Sequence, residues 1–197
     1  MDLVLKSVPH AAQQQVKALL EHYPIAIKIT KHRLTKHGDF RMNPNGTTSI
    51  TINASTNPYR FLITLLHELA HFKVFLKYGR RARPHGLEWK LAFRTLLLPF
   101  LQPNIFPDDL CSVLARHMKN PKASSDRDYN LFKALQHWDE ESEPVPCVND
   151  LHEGQTFRLE NGRRFVKIKK RRVRIECKEI KTGRIYLFSP HAGIIPE

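Results

Sequence analysis

The sequence predicts an α+β protein, in which a small sheet packs against one central helix and further helices and is followed by a basic antiparallel β meander. Three observations predict it. Apolar and polar residues alternate in IAIKIT (25–30) and TSITIN (48–53), the period of a strand. Apolar residues recur at helical spacing between Pro9 and Tyr23 and again from Phe61 to Tyr78. Past residue 150, short alternating runs are separated by Asn161-Gly162 and by Lys181-Thr182-Gly183, and Asn-Gly between such runs marks a tight hairpin because both residues tolerate positive φ.

Each element has its own local signal. In the first helix Val16, Leu19, Leu20 and Tyr23 line one face, and Pro9 suits the first turn. The stretch between the two strands holds Gly38, Pro44 and Gly46 and reads as turn. Asn57 is a cap candidate with Pro58 at the first helical position, and the helix it starts ends at Gly79. After the basic loop RRARPHG, residues 87–98 are apolar over most of their circumference, which predicts a largely buried helix packed on the previous one. Two shorter helices are expected near 107–118 and 128–138. The acidic, proline-containing run DEESEPVPCVND then suits a linker. The expected division is a main domain over 1–140, a linker over 141–150 and a basic β appendage over 151–197.

Composition narrows the partners. The chain has 32 Lys and Arg against 19 Asp and Glu, a formal charge of +13. Such a field favours a polyanion, nucleic acid first and an anionic membrane surface second. From Leu151 onward there are 12 basic and 5 acidic residues, against 20 and 14 before it, so the tail is the more basic part by far. The first residues lack the pattern of a secretory signal and no apolar run is long enough to span a bilayer, so a soluble, cytoplasmic protein with no membrane partner is expected, with association to the nucleoid open to it. Cys111, Cys147 and Cys177 are odd in number and never form CxxC, which excludes a disulfide framework and a four-cysteine zinc ribbon.

The run TLLHELAHFKV (64–74) carries the chemistry. On a helix His67 and His71, four residues apart, lie one turn apart on one face and can direct both imidazoles at a single ion. Glu68 follows the first ligand, from where its carboxylate can reach a metal-held water without itself being a ligand. With 11 His in the chain, roughly 0.03 chance matches to HExxH are expected, so coincidence is a weak explanation. The plainer reading makes the two histidines hydrogen-bonded surface groups and Glu68 a salt-bridge partner of a nearby arginine. Against it, three polar groups on an apolar helix cost desolvation unless something satisfies them, and one zinc ion would. A catalytic zinc also needs a third protein ligand. His85 and Glu88, both in RPHGLEW, are candidates; His85 is preferred, since Glu88 falls in a first helical turn where a carboxylate serves as a cap. An oxyanion stabiliser is required as well, with Asn53, Tyr59, Arg80, Arg81 and Arg83 as candidates.

The run HELAHFKVFLKYGRRARPHGLEWK resembles the SprT-like zinc metallopeptidases, a family that includes bacterial SprT proteins and the eukaryotic protease Spartan, which acts on proteins crosslinked to DNA. The resemblance extends upstream through HGDFR (37–41) and covers about residues 10–140. It implies a zincin-like fold, one Zn2+ held by His67, His71 and His85, peptide-bond hydrolysis with Glu68 as general base, and protein substrates gathered on DNA. Many bacterial members end in a zinc ribbon with paired cysteines; this tail retains only Cys177, so the β meander is expected to be metal-free. Arg163, Arg164, Lys167, Lys169, Lys170, Arg171, Arg172 and Arg174 would supply sequence-independent phosphate contacts. Phe165, Tyr186 and Phe188 would either stack on exposed bases or form the small core of the appendage. The alternative function is a non-proteolytic, zinc-containing nucleic-acid-binding protein related to transcription.

Overall fold

A computed structural model describes residues 1–197 apart from 32, 34, 35, 44, 56 and 140–145. The protein is mixed α+β and divides into two compact units, residues 1–140 and 141–197.

The first unit opens with helices α1 (Asp2–Lys6) and α2 (Gln13–His22), which bury Val4, Val16 and Leu20. Strands β1 (Ala26–Thr30), β2 (Gly38–Met42) and β3 (Thr48–Asn53) form a sheet in the order β1-β3-β2, with β1 parallel and β2 antiparallel to β3. The stretch read as turn between the two predicted strands therefore holds a third strand. The alternation of Asp39, Phe40, Arg41 and Met42 is only four residues long and lies among turn-type residues, and β2 is held by the backbone ladder that β3 offers it and by Phe40 packing against Phe72 and Phe75.

Helix α3 (Pro58–Tyr78) begins as predicted, with the Asn57 side chain accepting from the Arg60 N–H at 3.0 Å. Phe61, Leu62, Leu65, Leu66, Leu69 and Ala70 are buried on several sides of it, as expected of a helix that the rest of a unit is built around. Its one buried polar line is Arg60, Thr64 and Glu68, one turn apart. Arg60 is neutralised by Asp139 at 2.8 Å, and Asp139 also accepts from Asn57. Helix α4 (Leu87–Leu97) inserts Trp89, Phe93, Leu96 and Leu97, and α5 (Asp108–Lys119) and α6 (Tyr129–Gln136) complete the unit. The expectation of a largely buried α4 needs correcting: Leu87 and Leu91, and Leu98 just past its end, are 82%, 65% and 62% exposed.

The second unit is a five-stranded antiparallel sheet of β4 (Thr156–Arg158), β5 (Arg164–Lys170), β6 (Ile175–Glu179), β7 (Ile185–Phe188) and β8 (Ile195–Pro196), in the order β7-β6-β5-β4-β8. Gly162 takes φ 80° in the turn between β4 and β5. Strand β8, two residues long, carries no sequence signal. Residues 141–145 of the expected linker lie outside the described residues. The rest of that segment is not a linker: Cys147 bridges Gly193, and Val148 is buried in a core with Phe157, Phe165, Ile175, Cys177 and Ile194. None of the three cysteines forms a disulfide.

Candidate metal centre

Helical periodicity sets His67 and His71 on one face of α3, and their Nε2 atoms lie 3.3 Å apart. The third imidazole arrives from the loop before α4: His85 Nε2 is 3.0 Å from that of His71 and 3.2 Å from that of His67. To reach this position His85 takes φ 56°, the left-handed region that a β-carbon disfavours by about 1–2 kcal/mol. Trp89, one turn into α4, backs the cluster. Its ring centroid lies 4.6, 5.4 and 4.7 Å from those of His67, His71 and His85, and its Nε1–H donates to the His67 carbonyl at 3.4 Å. Glu88, the alternative third ligand, is an exposed first-turn residue and stands outside the cluster.

Three ring nitrogens this close fit a cation. Each pair can share at most one proton, so a triangle of neutral imidazoles leaves lone pairs facing one another. Tetrahedral nitrogens at about 2.0–2.1 Å from a zinc ion would lie about 3.3 Å apart, close to the separations seen. Burial also keeps the rings neutral and ready to coordinate. It lowers the proton affinity of His67 well below the usual value and that of His71 to about 4, with neighbouring histidines adding to the effect; His85 is lowered by burial and then by the positive field of Arg127. Among the described residues no other group of three or more His, Cys, Asp or Glu converges in this way.

Glu68 points to the start of β2. It is 5% exposed, and a β-carbon built on Gly38 would stand 2.6 Å from its Oε1 and 2.7 Å from Thr64 Cγ2, so only glycine fits beside it. Burial, then the negative charge of Asp39, pushes its carboxyl up to about 8, against the backbone N–H of Phe40 and the charges of Arg33 and Lys36. Next to Gly38, the His37 ring bonds Asp126 at 2.6 Å, and Asp126 also takes Arg60 at 3.4 Å, which ties the start of β2 to α3.

Residues 7–103, which run from before α2 to just past α4 and include all three histidines and Glu68, match the model of the SprT-like family. The chain carries a SprT-like domain. No curated protein matches the chain.

Within the SprT-like domain, the amide of one oxyanion candidate is otherwise engaged and the ring of a second is packed. Asn53 is buried and bonds Arg33 and the carbonyls of Arg33 and Lys36, and Tyr59 packs on Phe106 and Trp138. Arg80, Arg81 and Arg83 are exposed in the loop leading to His85. The sequence reading missed Gly38, whose contribution is an absent side chain and so leaves no trace in periodicity.

The predicted phosphate contacts of the second unit divide. Lys167 must be withdrawn: it is 6% exposed on the inner face of β5, and its Nζ donates to the Leu151 carbonyl at 2.6 Å. Arg163 is paired with Glu179 and lies over Tyr186, Arg164 is paired with Glu197, Arg171 with Glu176, and Lys170 bonds Asn149. Lys169, Arg172 and Arg174 are exposed with no side-chain hydrogen bond or ion pair among the described residues. Phe165 is core, with Tyr186 and Phe188 packed edge-on against it.

Proposed function

We propose that the protein is a zinc-dependent metallopeptidase that hydrolyses peptide bonds in proteins associated with DNA. The observation that carries this reading is the pairing of an open three-histidine cluster with a buried carboxylate, Glu68, on the same turn of α3. A structural zinc site closes its fourth position with another Cys or His, and no such residue joins this cluster among the described residues.

Zinc held by His67, His71 and His85 would supply a water of near-neutral pKa and a Lewis acid for the scissile carbonyl. Glu68 accepts the proton of the attacking water and returns it to the leaving amine. Strand β2 is paired on one side only, beside Glu68, so an extended peptide can add along its open edge. Lys169, Arg172 and Arg174 supply phosphate contacts that hold the enzyme on nucleic acid without reading its sequence.

The test is zinc content of the wild type beside His85→Ala, Glu88→Ala and Glu68→Gln, followed by proteolysis of a DNA-bound protein. One zinc per chain, lost in His85→Ala and kept in the other two, with turnover abolished in Glu68→Gln, is the expected result. Undiminished turnover in zinc-loaded Glu68→Gln would remove the general base. No hydrolysis of any protein by the zinc-loaded wild type, with DNA binding intact, would favour the non-proteolytic alternative.

A further inference from the structure

The outward face of α4 is the largest departure from expectation in the first unit. Leu87, Leu91 and Leu98 rise along it at intervals of one and two turns, more than half exposed. With Arg94 and Thr95 on α4 and Ala115, Met118 and Lys119 on α5, Leu91 and Leu98 line an open groove of about 580 Å³. Its walls are tied together, since Arg94 donates to the carbonyls of Met118 and Lys119 and Lys90 donates to Asn120 at 2.7 Å. No acidic residue lines the groove. Around the apolar stripe Lys90, Arg94 and Lys119 outnumber Glu88, exposed at its Leu87 end, and their side-chain partners are neutral oxygens or, for Lys119, none among the described residues.

We infer that this groove docks an acidic amphipathic helix of a partner protein. The stripe from Leu87 to Leu98 is about 16 Å long, the length of three turns, and two helical walls with apolar residues a turn apart accept the ridge of a third helix. The cationic rim selects the sign of the flanking charges. The occupants at hand fit badly. The second unit is net positive and has no α-helix among its described residues, and the acidic run 139–143 of this chain holds no apolar residue to fill the stripe. A second copy would set the same cations against each other.

The inference is independent of the proposed peptidase activity. It is tested with the full chain and a fluorescein-labelled helical peptide of about 14 residues built from Glu-Leu-Leu-Glu repeats, beside the same peptide with Lys for Glu, read by fluorescence anisotropy. Micromolar binding of the acidic peptide alone is expected, weakened about tenfold or more in Leu91→Ser/Leu98→Ser, with zinc content unchanged. Lys119→Glu, which leaves the packing alone, is expected to weaken the acidic peptide and admit the basic one. Equal binding of both peptides by the wild type, or of neither, overturns the inference. So does self-association of the wild type that Leu91→Ser abolishes, which would assign the face to a second copy.

Discussion

The two units handle charge in opposite ways. The first withdraws its chemically important groups from water: three half-buried imidazoles and one buried carboxyl are held towards their neutral forms by the loss of water around them. The second keeps most of its basic residues outside, and four of the eight from Arg163 to Arg174 are already paired with a carboxylate or bonded to an amide. Buried groups act one by one, because each unmet charge or lone pair costs several kcal/mol. Exposed charges act only in sum, because each is worth little alone in water.

The largest expected effect follows from the buried carboxylate. A carboxyl whose folded pKa is raised from 4.5 to about 8 stabilises the folded state below pH 4.5 and loses that contribution as the pH rises through 8. In chelator-treated protein, denaturant unfolding should therefore find Glu68→Gln more stable than wild type at pH 8, by on the order of 4 kcal/mol. The histidines run the other way. Their lowered affinities stabilise the fold above pH 6.5, and that stability is lost as the pH falls from 6.5 towards about 4. An apo protein whose Glu68→Gln stability matches wild type at pH 8 would mean that Glu68 is better solvated than its burial implies.

Gly38→Ala comes next. Its methyl group would overlap both Glu68 and Thr64, so the carboxylate must move while the three imidazoles need not. Turnover should fall by about 100-fold or more with one zinc retained, as measured by metal analysis and initial rates. Full activity in this variant would sink the placement of Glu68 under β2.

The smallest effects belong to the second unit. Arg172→Ala and Arg174→Ala should each reduce the salt slope of DNA binding by about 1, whereas Lys167→Ala should leave the slope unchanged and lower the thermal stability instead. A Lys167 variant that loses slope would reverse the assignment of the inner and outer faces of β5.

What could be read in advance was local. The ends of α3 are written in Asn57, Pro58 and Gly79, and the i, i+4 pairing of His67 and His71 follows from helix geometry alone. The strands β1 and β3 and the Asn-Gly hairpin were equally legible, because period and turn chemistry act between near neighbours. Strand β2 was not, since GDFRM becomes a strand only when β3 and the aromatics of α3 meet it. Nor was the exposure of Leu87, Leu91 and Leu98, because a helix apolar all round does not say which faces its neighbours cover.

The sequence by itself determined the face of α3 that carries His67 and His71, the family of its first half and the basic character of its tail, because residue type and short spacing suffice for each. Tertiary structure alone decided that His85 and not Glu88 completes the triad, that Glu68 lies under a glycine, and that Lys167 points inward while Arg172 and Arg174 point out. Those outcomes depend on which surfaces exclude water, and that is set by contacts between residues far apart in the chain.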